Sequence, residues 1–117
     1  MSHISVQPST KKINISFSGE VIASSTKALE LKEGDYPAVY YLPPADVNER
    51  YLKKTSHRTT CPWKGDAAYW SVQVDGETAE NVVWAYPEPK AAVKEIEGYM
   101  AFYPSKLEVN VDGEPLS

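Results

Sequence analysis

Residues 67–86 hold two alternating runs around a single turn. Ala68, Trp70, Val72 and Val74 share one parity and Ala67, Tyr69, Ser71 and Gln73 the other, and residues 81–86 return with Val82 and Trp84 alternating against Val83. A period of two is that of a strand. Asp75-Gly76, between the runs, is the dipeptide that tolerates the positive φ angles of a tight two-residue hairpin. An antiparallel hairpin therefore sits in the middle of the chain, and the remaining segments must supply strands around it.

They do so by the same pattern. Ile13, Ile15 and Phe17 alternate over residues 12–17, Ser18-Gly19 turns the chain, and Val21 and Ala23 alternate over 20–24. Residues 27–32 and 37–42 are two further strands, the first broken by Glu33-Gly34-Asp35 and the second by Pro43-Pro44, which remove ladder donors. Asp46 is placed to cap a short helix through Leu52, with Val47 and Tyr51 on one face. Residues 53–61 are extended, and Lys64-Gly65-Asp66 turns into the hairpin. Pro89 opens a second short helix with Ala92, Val93 and Ile96 on its apolar stripe and Gly98 as its stop. Residues 99–103 and 106–111 are the last strands. The expected fold is mainly β, α+β at the margin: one compact antiparallel barrel or sandwich-like domain over residues 12–112 with two short helices, a flexible arm over 1–11 and a tail over 113–117.

At 117 residues the chain supports one core without staples. Its apolar runs are too short to span a bilayer as helices, and the amino terminus lacks a charged segment followed by an apolar one, so a cytoplasmic protein without a membrane partner is expected. A single cysteine, Cys61, leaves no internal disulfide and, with His57, only two soft ligands, so no metal and no cofactor is assigned.

The net charge is −4, yet Arg50, Lys53, Lys54, Arg58 and Lys64 fall in a stretch without any carboxylate. A basic island in an acidic chain argues for a local anion site and against nucleic acid as partner. Within it, residues 57–70 collect His57, Arg58, Cys61, Trp63, Lys64, Tyr69 and Trp70. Such density of rings, cations and a thiol suits a small anionic or planar ligand.

Three blocks carry a family likeness: Pro37-Ala38-Val39-Tyr40-Tyr41; His57-Arg58-Thr59-Thr60-Cys61-Pro62-Trp63-Lys64-Gly65 with Tyr69-Trp70; and Val83-Trp84-Ala85-Tyr86-Pro87-Glu88-Pro89 followed by Ile96-Glu97-Gly98-Tyr99-Met100-Ala101-Phe102-Tyr103. Over about residues 12–112 the chain resembles the domain of unknown function family 427, sometimes labelled nucleotidyltransferase-like. The resemblance implies a compact, largely β, bacterial-type single domain and brings no established reaction. Members often carry an arginine where this chain has Pro44, which leaves Arg58 and Lys64 as the cations of interest.

Each candidate has a chemical and a packing reading. Cys61 is a nucleophile if His57 serves as its base, but a small core residue if the strand holds the two about 13 Å apart along the backbone. Trp70 and Trp84, flanked by alternating valines, read as core; Trp63, between Pro62 and Lys64, reads as a ligand surface. Lys64-Gly65-Asp66 offers a cation beside approachable backbone donors but lacks phosphate-loop spacing. Asp35, Asp46 and Asp66 lie near strand ends, and no spacing selects a catalytic pair among them.

The leading expectation is ligand binding by Arg58, Trp63, Lys64, Tyr69 and Tyr86, with His57 moving a proton. A second is an enzyme using Cys61 or a carboxylate on the same ligand. A third is a protein-interaction module without a small-molecule site. Oligomeric state is open, with a dimer plausible for a β domain with free edges. The first expectation requires His57, Arg58, Trp63 and Lys64 to meet around one hollow.

Overall fold

The computed structural model describes residues 3–116. Eleven strands follow in order: β1 (Ile4–Pro8), β2 (Ile13–Phe17), β3 (Glu20–Ser25), β4 (Leu29–Glu33), β5 (Val39–Tyr41), β6 (Leu52–Cys61), β7 (Gly65–Val74), β8 (Glu77–Ala85), β9 (Met100–Phe102), β10 (Glu108–Val111) and β11 (Glu114–Leu116). They form three antiparallel sheets, ordered β1-β4-β5, β11-β10-β2-β3 and β6-β7-β8-β9. The arrangement is sandwich-like, without a closed barrel among the described residues.

Turn chemistry sets the registers. Asp75-Gly76 has φ of 47° and 82°, Ser18-Gly19 of 49° and 82°, and Asp112-Gly113 of 50° and 84°. All three pairs hold both residues on the left-handed side, as a twist-matched two-residue hairpin requires. The third makes β11, so the segment expected as a tail pairs Val109 with Leu116 and Val111 with Glu114. The segment expected as a loose arm likewise holds β1. Its Ile4 and Val6 alternate inward and pair with Glu33 and Leu31, a two-residue periodicity too short to stand out beside Pro8.

The two expected helices are short 3-10 segments instead. Proline at 43 and 44 and the extended backbone of Val47 divide the first into Pro44–Asp46 and Glu49–Tyr51. Asp46 ends the first of these rather than capping a helix, and its carboxylate accepts a hydrogen bond from Ser25 at 2.7 Å. The second, Ala91–Ile96, is interrupted at Val93 but still buries Val93 and Ile96. No helix among the described residues is long and apolar enough to cross a membrane.

The sheet β6-β7-β8-β9 buries both faces. On one, Val72, Val74, Val83, Ala85, Met100 and Phe102 pack against Ile13, Ile15, Ile22 and Val109 of the β2-β3-β10 sheet. On the other, Ala67, Tyr69, Tyr86 and Ala101 pack against Leu31, Tyr41, Val93 and Ile96. Leu42 and Met100 exchange both backbone hydrogen bonds, 2.7 and 2.8 Å, which joins the β5 end to β9. That bridge is isolated. Beyond it β5 and β9 share no ladder, and a gap opens between them.

Candidate functional site

The gap is the mouth of a cavity of about 540 Å³. Val39 and Tyr40 stand on one side of it and Phe102, Tyr103 and Pro104 on the other, with Trp84 also on its wall. Ile13, Ile15, Val109 and Leu116 line it from the neighbouring sheet, and Glu33, Tyr36, Pro37 and Ala38 from the loop between β4 and β5. Among the described residues, Glu33 is its one charged lining side chain.

Trp84 and Tyr103 form a corner of this wall, with ring centroids 4.5 Å apart and planes inclined at 41°. The indole is held from behind: Nε1–H donates to the Tyr41 hydroxyl at 3.3 Å, and the Tyr41 ring meets Trp84 edge-on at 6.4 Å. Tyr41 is sealed, and burial pushes its phenol up to about 12, with the Cys61 thiol, Tyr69 and the Glu33 carboxylate adding to the rise and the Trp84 hydrogen bond opposing it. Burial, and then the neighbouring Tyr41 and Cys61, raises Tyr86 as well. Tyr103 is raised by burial and then by the neighbouring Tyr69. All of these phenols stay neutral at physiological pH, so the wall offers hydroxyl groups and ring faces rather than charge.

Residues 57–70 reach this cluster from behind. Two bulges face each other across β7, one on β6 between Lys54 and Arg58 and one on β8 between Ala79 and Val83, and they bring Thr55, Ser71 and Asn81 together. Thr55 Oγ1 donates to Asn81 Oδ1 at 2.7 Å, and the Asn81 N–H donates to Ser71 Oγ at 3.0 Å. Asn81 has φ of 53° in mid-strand, a conformation asparagine tolerates better than most residues. Within the β6 bulge the His57 ring meets Tyr69 edge-on at 4.5 Å, and beyond it Thr59 Oγ1 lies 2.8 Å from the Tyr69 hydroxyl. Tyr69 therefore links the β6 face to Tyr103 at the cavity wall.

The basic island is dispersed. Arg58 Nη1 donates to the carbonyls of Thr55 at 3.2 Å and His57 at 2.8 Å, and the residue lines a separate notch of about 140 Å³ with Asp66 and Glu88. Lys64 donates to Glu33 at 3.1 Å, an ion pair with both side chains mostly buried. Arg50 lies over the Tyr51 ring and Lys54 over Trp70. Lys64 and Lys54 thus meet an acid and a ring from other elements, whereas Arg58 and Arg50 turn onto their own segments.

Trp63, 47% exposed, lies in the turn between β6 and β7 and lines neither hollow. The glycine of that region, Gly65, opens β7 instead of sitting inside the turn. Its φ is 116°, and a Cβ there would stand 3.2 Å from the Glu88 carbonyl oxygen, so the close passage of the 87–90 segment requires glycine. Cys61 is half-buried at the end of β6 and packs against the phenol cluster, four residues from His57. Tyr86 is buried in the same cluster.

The structure therefore gathers Cys61, Tyr69 and Tyr86 in one cluster, with the exposed His57 lying against Tyr69. It brings Lys64 to the cavity only through Glu33, and leaves Arg58 and Trp63 elsewhere. Glu33, Tyr36, Tyr40, Tyr41 and Tyr103 were not singled out from the sequence, and Trp84 was read as core. Their signal was the tyrosine density of residues 36–41 and 99–103. Among the described residues, no three of His, Cys, Asp or Glu gather as a metal site would require.

The profile of a family described as "Domain of unknown function (DUF427)" matches residues 5–113, so the chain belongs to that family. No curated protein matches the chain.

Proposed function

We propose that this member of the domain of unknown function family 427 is a small-molecule binding domain, whose ligand presents a planar, apolar body to the cleft between β5 and β9. The observation that carries the reading is the Trp84–Tyr103 corner on the wall of a cavity of about 540 Å³, within the size range of small-molecule sites. Most of the wall is aliphatic or aromatic, with phenol hydroxyls and one carboxylate as orienting groups. That is the usual composition of a cleft that selects by shape and by a few directed hydrogen bonds.

In this reading residues 57–70 support the site rather than line it. Tyr69 lies beside Tyr103, and Lys64 holds Glu33. A planar ligand suits the wall better than an anionic one, because Lys64 is already paired and Arg58 is turned onto its own strand.

Titration with the neutral planar probe 2-naphthol, followed by amide chemical shifts, tests the reading. Shifts should cluster at residues 33–42, 84 and 102–104, and Tyr103→Ala should weaken binding by several-fold, the loss of one aromatic contact. Binding that leaves those amides unmoved, or no binding up to the solubility limit, would reject it.

A further inference from the structure

We infer that the cleft selects an organic cation: an amine or alkylated ammonium carried by an apolar or aromatic body. This rests on the small-molecule reading above and names the ligand class for the same cavity. The wall presents the rings of Tyr36, Tyr40, Trp84 and Tyr103, and no lysine, arginine or histidine lines it among the described residues. Indole and phenol faces attract cations through the ring quadrupole, most strongly at Trp. These rings supply no positive charge with which to hold an anion. The only full charge on the wall is the Glu33 carboxylate. It lies near enough to Tyr41, the hydroxyl behind Trp84, for its charge to raise that phenol.

Glu33 is held at the rim by Lys64, whose ammonium lies 3.1 Å from Oε1 and whose own residue lines no part of the cavity. The lysine comes from the turn between β6 and β7, where its N–H donates to the Cys61 carbonyl and its carbonyl accepts from the Lys90 N–H at 2.9 Å. A carboxylate with a fixed cation on one side retains acceptor capacity on the other. A ligand ammonium entering among the rings meets Glu33 on that side, shares the carboxylate with Lys64 and competes with it. An anion entering the same space meets a carboxylate and no free cation.

The test is a matched series of probes with one body and three charges: benzyltrimethylammonium, its neutral isostere neopentylbenzene, and phenylmethanesulfonate, each titrated against the full chain by amide chemical shifts. The cation should bind about ten-fold or more tighter than the isostere. Glu33→Gln should lower cation affinity several-fold and leave the isostere unchanged, whereas Lys64→Met should raise cation affinity by freeing the carboxylate. A merely structural ion pair would make both variants weaken all probes alike. Equal binding of cation and isostere in the cleft overturns this inference and leaves the small-molecule reading standing. Tightest binding of the sulfonate overturns it in favour of an anion site, and no binding by any of the three overturns both.

Discussion

The two faces of the β6-β7-β8-β9 sheet are built from neighbouring residues of the same strands and have opposite chemistry. On β7, Val72 and Val74 enter an aliphatic layer against β2, β3 and β10, while Ala67 and Tyr69 enter a layer of phenols, an indole and a thiol. On β9, Met100 and Phe102 belong to the first and Ala101 to the second. The aliphatic layer asks only for volume and dryness. The phenolic layer has to satisfy hydroxyls and an indole N–H as well, and it does so through Trp84–Tyr41 and Thr59–Tyr69. The cleft opens where the β5–β9 bridge ends, so its wall is drawn from both layers: Ile13, Ile15 and Phe102 from one, Val39 and Trp84 from the other. One layer holds the fold and the other equips it.

If that division is real, the largest energetic effects come from the aliphatic layer. Ile22 is fully buried there and lines no cavity. Ile22→Ala should cost about 3 kcal/mol through lost transfer energy and an unfilled hole. Tyr86→Phe, equally deep in the other layer but keeping its ring, should cost about 1 kcal/mol or less. Denaturant midpoints for the pair measure the contrast, and the opposite ranking would break it.

Alkaline pH separates the layers next. Tyr41 keeps its proton in the fold up to about pH 12, whereas in the unfolded chain it loses it at the ordinary value of 10.0. The sign follows: the unfolded state sheds protons first, so the contribution is complete below pH 10 and is lost as pH rises towards 12. The slope is about 1.4 kcal/mol per pH unit over that window. Tyr86 acts in the same direction. Thermal melts between pH 9 and 12 should fall steeply for the wild type. Tyr41→Phe should start lower, since Trp84 loses its acceptor, and fall less. Parallel curves would mean that the phenolic layer carries no such linkage.

The legibility of these two layers in the sequence differed for the same physical reason. Ile13, Ile15, Val72 and Val74 announce themselves by strict alternation, and the hairpins at Ser18-Gly19 and Asp75-Gly76 stand where their turn chemistry put them. Asp112-Gly113 carries the same signal but follows a short strand close to the carboxyl end, and β11 beyond it holds a proline, Pro115. The site was harder. Its wall combines residues 33–42, 84 and 102–104, and what unites them is the end of a single bridge between Leu42 and Met100, which no local pattern encodes. The segment 57–70 was rightly dense in chemistry, but density along a strand divides between two faces. His57, Thr59 and Cys61 go to the phenols, and Arg58 goes to the notch with Asp66. Charge misled for a related reason: Lys64 looked free because Glu33 is distant along the chain.

The smallest effect tests how β6 is aimed. Asn81 sits in a left-handed conformation in mid-strand and receives the Thr55 hydroxyl, at the point where β6 and β8 both bulge against β7. Bulges of this kind re-aim the side chains they carry, and here the bulged stretch of β6 holds His57, whose ring lies on Tyr69. Asn81→Gly keeps the backbone conformation and loses the Thr55 bond, so it should cost about 1 kcal/mol. Asn81→Ala loses the bond and adds about 1–2 kcal/mol of left-handed strain. The decisive readout is the ring-current shift of the His57 imidazole protons. Asn81→Gly should preserve most of it and Asn81→Ala should collapse it. A shift untouched by either substitution would mean that His57 is held by Tyr69 alone, and that the bulge separates the two layers without arming the phenolic one.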